Sequence, residues 1–329
     1  MLNLVTGATG MVGSHLVEAL VARGEKVRAL VRPTSQVQRL RELGVELRIA
    51  NLMDNAAVAA AAQGVARVYH CAGLVGDWGA LADFQQANVH SVRNVLAAAT
   101  RAKVARFVHV STTDIYGFPG RPAEEAERPS PRGFDYADTK IEGEGLVWNH
   151  HRTVKLPVTI VRPATVYGPR AQLLVVALVQ ALQRRRLPLI DGGRHIAGLT
   201  YVGNLVDALL LAAESDASIG QAYNISDGVV VTWKQYLDAL ADLAHVPRAR
   251  RDHSHERALA LATLWEGAYR LLGRSERPPL TRLMVELMGT DQDFPIGKAR
   301  RELGYQPRVT TEEGLRYTGE WLRREGLIE

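Results

Sequence analysis

The chain has 329 residues, 47% of them hydrophobic and 23% charged, which suits one large α/β unit or two fused lobes. This composition excludes a disordered chain, a coiled coil and a fibrous repeat. The single cysteine, Cys71, excludes a disulfide-stapled fold and fits a reducing compartment. The net charge of +5 is spread over short runs at Arg184–Arg186, Arg248–Arg251, Arg300–Arg301 and Arg323–Arg324. No aromatic residues interleave them, so no nucleic-acid partner is expected.

Two periodicities alternate through the first half. Short β-branched runs at Leu2–Thr6, Lys26–Val31, Glu46–Ala50, Arg67–Ala72, Arg106–Ser111 and Val158–Val161 predict strands. Between them, Val12–Arg23, Ala56–Gln63, Asn88–Arg101 and Asp138–His150 carry helical spacing. Such alternation predicts an α/β fold of the Rossmann type, a doubly wound parallel sheet with helices on both faces. After Gly168 the pattern turns mostly helical, through Leu173–Arg185, Leu205–Glu214, Thr232–Ala244 and Ala258–Leu272. The expected division is a dinucleotide-binding domain over 1–168 with a returning segment at about 200–227, and a smaller, mostly helical substrate lobe over 169–199 and 228–329. The longest apolar runs, Leu173–Val179 and Leu209–Ala213, fall well short of the roughly 20 residues a membrane span needs. With no secretory leader visible, the cytoplasm is the expected location.

The first strand runs straight into Thr6-Gly7-Ala8-Thr9-Gly10-Met11-Val12-Gly13. Gly7 permits a tight turn, Gly10 lets a pyrophosphate approach the backbone, and Gly13 allows close helix–sheet packing, with the phosphates on the helix N-terminus. A glycine triplet alone is weak, but between the first strand and helix of an alternating chain it predicts a dinucleotide site. The second strand ends in Arg32 where an NAD site has a carboxylate for the ribose 2′-hydroxyl, and Arg39 follows about two helical turns on. Both are expected to face a 2′-phosphate, which favours NADP over NAD as cofactor.

Tyr136 and Lys140 stand at i, i+4 in the helix after a proline-rich loop, and so share one face. A neighbouring ammonium favours phenolate, which makes Tyr136 a candidate proton donor or acceptor near neutral pH. Upstream, the hydroxyls of Ser111-Thr112-Thr113 end a strand on the edge where open α/β sheets bind ligands. No histidine or cysteine cluster has metal-ligand spacing, and no metal is expected.

Together these residues resemble the extended short-chain dehydrogenase/reductase superfamily. The likeness spans nearly the whole chain: Gly7–Gly13, His70-Cys-Ala-Gly73, Ala87-Asn88-Val89, Ser111–Gly117, Tyr136 with Lys140, Arg162–Pro169, Tyr201–Asn204, Ala222–Asn224 and Leu303–Pro307. The resemblance implies Tyr136 as catalytic acid/base, Lys140 on the nicotinamide ribose, Thr112 as the catalytic hydroxyl and Asn88 as organiser of the proton relay. It implies cofactor contacts from Gly7, Thr9, Gly10, Met11, Val12, Gly13, Arg32, Arg39, Asn51, Leu52, Cys71, Ala72, Gly73, Tyr136, Lys140, Pro163, Ala164 and Val166. It also implies a homodimer through the Asn88 and Tyr136 helices. Asn51-Leu52 departs from the usual Asp-Leu or Asp-Val against adenine, and an amide can still make that contact.

Within the superfamily, nucleotide-sugar enzymes carry an arginine for the substrate diphosphate where this chain has Ala197. Burying a diphosphate without a cation is costly. Val27–Arg32 and Leu74–Gly79 instead resemble the 3β-hydroxysteroid dehydrogenase and dihydroflavonol-reductase branch. That likeness implies oxidation or reduction between a secondary alcohol and a ketone on an apolar small molecule. The alternatives are a nucleotide-sugar 4-epimerase or dehydratase and a non-catalytic dinucleotide sensor. The apolar stripe Leu261, Leu264, Trp265, Ala268 and Leu272 is expected either in the core or as a lid over an apolar substrate.

Overall fold

The computed structural model describes residues 1–329. Its first half alternates β1 (Leu2–Thr6), α1 (Met11–Ala22), β2 (Lys26–Val31), α2 (Gln38–Glu42), β3 (Glu46–Ile49), α3 (Asn55–Ala62), β4 (Arg67–His70), α4 (Leu81–Gln85), α5 (Ser91–Arg101), β5 (Arg106–Val110), α6 (Asp135–Val154) and β6 (Val158–Pro163). The second half adds β7 (Thr165–Tyr167), α7 (Ala177–Gln183), β8 (Leu189–Ile190), β9 (Leu199–Tyr201), α8 (Val202–Glu214), β10 (Gln221–Ile225), α9 (Trp233–Leu243), β11 (Asp252–His253), α10 (His255–Leu271), α11 (Arg282–Gly289), α12 (Gly297–Leu303) and α13 (Thr311–Arg324).

Seven strands form one parallel sheet in the order β10-β6-β5-β4-β1-β2-β3. The fold is the doubly wound Rossmann type. Chain order reverses between β1 and β4, and that crevice is where such sheets bind ligands. Their runs of Val, Leu and Ile are buried because helices cover both faces. One face packs Leu16, Val17 and Leu20 of α1 against Leu205–Ala213 of α8. The other packs Val58 and Ala61 of α3, Val92, Val95 and Leu96 of α5, and Val147 of α6. A further apolar cluster gathers Tyr167, Val175, Val179, Leu199, Trp233, Tyr236, Met284, Met288 and Leu322. Side-chain caps mark the starts of its helices: Thr232 with Gln235 and Thr310 with Glu313 form capping boxes.

Three details differ from the sequence reading. The helix expected from Asn88 begins with a π-turn over Gln86–His90, and regular α-helix starts only at Ser91. Helix α12, counted with the C-terminal lobe, packs Ala299 and Leu303 into the sheet's core beside Ile296 and Tyr305. The stripe on α10 is neither core nor lid interior. Leu264 is 71% exposed, Trp265 44% and Leu272 66%, while the buried face of that helix is Ala258, Ala262 and Glu266. Glu266 turns inward because its carboxylate accepts from the Arg282 amide at 2.7 Å and from Arg282 Nε at 2.8 Å. An ion-paired acid thus occupies the face that an amphipathic rule reserves for leucine.

Candidate active site

The chain leaves β1 through Gly7 at φ +69°. A Cβ there would stand 2.7 Å from the Ala72 amide nitrogen, and one at Gly13 would stand 2.2 Å from the Gly7 carbonyl oxygen. Both glycines are therefore required by close backbone approach. Gly10 caps α1 with no side-chain hydrogen bond, no acid lies in the first turn, and Thr9 and Gly10 are exposed. The N-terminal amides of a twelve-residue helix are left open at its positive end. A Cβ on Gly10 would meet only the Gly7 carbonyl, at 3.3 Å. Open space above unpartnered donors is what a pyrophosphate needs, so the residues fit a dinucleotide. Met11 and Val12 follow, half-buried, in the first turn.

The other residues implied for the cofactor lie on loops leaving the same sheet edge. Cys71, Ala72 and Gly73 leave β4, with the Cys71 amide donating to Thr6 O at 3.3 Å and the Ala72 amide to Thr6 Oγ1 at 3.4 Å. Burial pushes the Cys71 thiol up to about 12, which makes it a small hydrophobe and not a nucleophile. Asn51 and Leu52 follow β3; Asn51 Oδ1 accepts from the Met53 amide at 3.0 Å. Pro163 ends β6, Ala164 donates to Ile225 O at 3.0 Å, and Val166 lies in β7. The two arginines part company. Arg32 is exposed just beyond β2 and its guanidinium has no acidic partner. Arg39 is ion-paired with Glu18, which also binds Arg170, so its charge is already engaged.

Thr112, Tyr136, Lys140 and Asn88 belong to segments that meet beside this crevice. β5 delivers Thr112, which caps a single 3₁₀ turn over Thr113–Tyr116 by accepting from the Asp114 amide at 3.2 Å. Helix α6 carries Tyr136 in its first turn and Lys140 one turn later, both buried. Lys140 Nζ donates to Val110 O at 2.6 Å, and burial lowers its pKa to about 8 against the opposing pull of Glu144. The electrostatics of Tyr136 differ from the sequence expectation. Burial raises its pKa and the Asp114 carboxylate raises it further, while the Thr112 hydroxyl acts the other way. The Lys140 ammonium is turned to the Val110 carbonyl. Asp114, which nothing neutralises, is itself pushed up to about 6 by burial.

The π-turn has a local consequence. Asn88 Oδ1 accepts from the Leu74 amide at 2.8 Å, and its Nδ2 donates to Leu74 O at 3.0 Å and Thr139 Oγ1 at 3.1 Å. One side chain thus ties the loop after β4 to α6. Gly143 makes room for this: a Cβ there would stand 2.3 Å from the Asn88 carbonyl oxygen. Below Lys140, Glu144 and Arg162 form a buried ion pair. Ser111 donates to the same carboxylate at 2.7 Å and Trp148 at 3.1 Å, and Arg162 donates to the Tyr116 hydroxyl at 2.7 Å. Complete hydrogen bonding is what makes a buried charge pair tolerable.

Tyr136 also lines a narrow cleft with Trp78, Phe84, Glu266, Arg270 and Leu283. Sequence patterns did not single out Glu266, Arg270 or Leu283. Their only signal is spatial, since α10 and α11 reach the cleft across more than a hundred residues of chain. Arg277 and Thr281 hold this region to the loop after β4, both bonding Asp77. Ala197, where a diphosphate-binding arginine was sought, is fully buried, and Arg194 is exposed and paired with Asp191 at 3.4 Å.

A parallel sheet with a glycine turn at its switch point and a Tyr-Lys pair on the adjoining helix defines the short-chain dehydrogenase/reductase class. Residues 3–226 match the model of the NAD dependent epimerase/dehydratase family. A ketoreductase of Stigmatella aurantiaca, named for 4-hydroxy-2-methyl-3-oxo-4-farnesyl-3,4-dihydroquinoline-1-oxide, is 34% identical over 96% of this chain and 95% of its own. A 3β-hydroxysteroid dehydrogenase/Δ5→4-isomerase of Mycobacterium tuberculosis is 28% identical over 95% of this chain and 88% of its own. The crystal structure of gox2253 superposes with a TM-score of 0.82 at 28% identity, covering 100% of this chain and 99% of that one. The chain belongs to the NAD-dependent epimerase/dehydratase family and is an NAD(P)-dependent oxidoreductase of the short-chain dehydrogenase/reductase class.

Proposed function

We propose that the protein interconverts a secondary alcohol and a ketone on a largely apolar small molecule, with NADP as its preferred cofactor. The observation that carries the reading is that Thr112, Tyr136 and Lys140 lie on segments beside the open glycine turn, with Tyr136 also lining a cleft. The nicotinamide supplies or accepts the hydride when bound. Tyr136 gives the proton to, or takes it from, the substrate oxygen, and Thr112 holds that oxygen in place. Lys140 lies one turn behind Tyr136, where its buried ammonium holds the ribose hydroxyls. Asn88 keeps the loop after β4 against α6, so that cofactor and acid/base stay in register.

Two features support an apolar substrate. The cleft is walled by Phe84, Trp78 and Leu283, and all three of its acids face an arginine: Asp77 with Arg277, Glu266 with Arg282, and, at 3.9 Å, Asp135 with Arg270. The Stigmatella relative is likewise named for a farnesylated ketone. The test is Tyr136→Phe assayed on a panel of ketones, steroids and 3-oxo acids with NADPH and NADH. Turnover should fall roughly 10²–10⁴-fold with cofactor affinity little changed. A Tyr136→Phe enzyme with wild-type turnover would instead favour the dinucleotide-sensor reading.

A further inference from the structure

The cleft beside Tyr136 has room for a reacting group but not for the body of a substrate. Its free space is about 20 Å³, close to what one water fills. A second, open hollow of about 360 Å³ adjoins it, within the range of small-molecule sites. Phe134 and Arg282 line both spaces and mark their junction.

The same helix face walls both. Leu259, Thr263, Glu266 and Arg270 stand at i, i+4, i+7 and i+11 along α10. The first two line the hollow and the last two the cleft, so this face runs about 16 Å from one to the other. Phe118 contributes a further wall of the hollow. It follows Gly117 into the left-handed region, at φ 57° after 72°, a conformation a bulky residue keeps only where its surroundings hold it. Here the ring packs edge-on to Phe134 at 5.9 Å and shares one buried apolar cluster with Phe84, Tyr136 and Leu283. Apolar contact is thus continuous from Tyr136 to the hollow.

Charge does not select an ion there. Arg282 is held by Glu266 at 2.8 Å, and the other two charged groups of the hollow, Arg132 and Glu286, have opposite signs. With no net charge left over, the apolar walls decide what binds.

We propose that the hollow is the tail subsite of the active site: the carbonyl group of the substrate enters the cleft beside Tyr136 while an uncharged apolar tail lies along Phe118 and Leu259. The substrate class is then a ketone or secondary alcohol with an extended chain or ring system, not a compact one. This rests on the alcohol–ketone reading, and binding is measured apart from turnover so that the two can fail separately.

The probes are 2-butanone and 2-undecanone with NADPH. Wild type should favour 2-undecanone in kcat/KM by at least about tenfold, since each buried methylene is worth roughly fourfold. Thr263→Trp sets a large side chain in the hollow from an exposed helix position and should reduce that preference at least about fivefold. Leu264→Trp, on the outward face of the same helix, should leave it unchanged. Both variants should keep the wild-type melting temperature and NADPH affinity. Calorimetry on the slow Tyr136→Phe enzyme with NADPH bound should show the same preference in Kd, lost in Tyr136→Phe/Thr263→Trp. The inference is overturned if either measurement shows no preference for 2-undecanone, if Thr263→Trp keeps the preference, or if Leu264→Trp removes it equally. If wild type turns over neither ketone while calorimetry gives the preference and its loss, the tail subsite stands and the alcohol–ketone reading falls.

Discussion

Arg32 and Lys140 show how one residue's surroundings decide its use. Arg32 lies at the end of β2 without a carboxylate partner, whereas Arg39 is held by Glu18. Arg32→Asp should therefore be enough to raise the Michaelis constant for NADPH and spare NADH. The lost charge-assisted contact is worth roughly 1.5–3 kcal/mol. A wild-type enzyme that already prefers NADH strongly would exclude this role. Lys140 carries a cost that its proposed role on the cofactor ribose would explain. Its pKa is about 8 in the fold and 10.5 when free. Below pH 8 both states hold the proton and the penalty of burying it is complete. Between about 8 and 10.5 the unfolded chain keeps the proton that the folded chain has released, so stability should rise with pH, by roughly 3 kcal/mol at most. Lys140→Met should flatten that rise in urea unfolding curves taken at neutral pH and near pH 10. It should make the protein more stable at neutral pH while abolishing most turnover and weakening cofactor binding.

At the scale of elements, the position of Tyr136 depends on how α6 meets the π-turn. Gly143 faces the Asn88 carbonyl so closely that a methyl group there would overlap it. Gly143→Ala should lever α6 away, disturb the Asn88 bonds to Leu74 and Thr139, and cost roughly 1–3 kcal/mol, the usual effect of overpacking. Because Tyr136 and Lys140 ride on the same helix, kcat should fall as well. Gly145→Ala, two residues on, has nothing within 4 Å of its Cβ and should leave kcat alone. Equal effects from the two substitutions would show that helix propensity, not the Asn88 contact, sets the outcome. The glycines could be read for turns from their place in the sequence. Gly143 could not, since the atom that forbids a side chain there lies 55 residues away in the chain.

Across the whole molecule, the cleft beside Tyr136 draws its lining from distant segments, residues 76–84, 133–136, 266–270 and 282–283. With Ala197 buried and Arg194 paired with Asp191 at the surface, neither position offers a free cation to a substrate diphosphate. UDP- and dTDP-sugars should bind weakly and show no turnover, and micromolar affinity for a UDP-sugar by calorimetry would return the epimerase reading to first place. The sequence by itself determined the alternation of strands and helices, because burial on both faces of a parallel sheet writes Val, Leu and Ile into short runs. It also determined the glycine turn, because close backbone contact admits no side chain, and the pairing of Tyr136 with Lys140, because helical geometry links i to i+4. Only the tertiary structure decided which groups act on Tyr136. Asp114 reaches it from another loop and Lys140 turns to Val110, and neither fact is encoded in local spacing. It also decided the direction of α10. Periodicity reveals that a helix has an apolar stripe, but the side on which the core lies depends on what packs there. Here Arg282, arriving from α11, draws Glu266 inward and leaves the leucines outside.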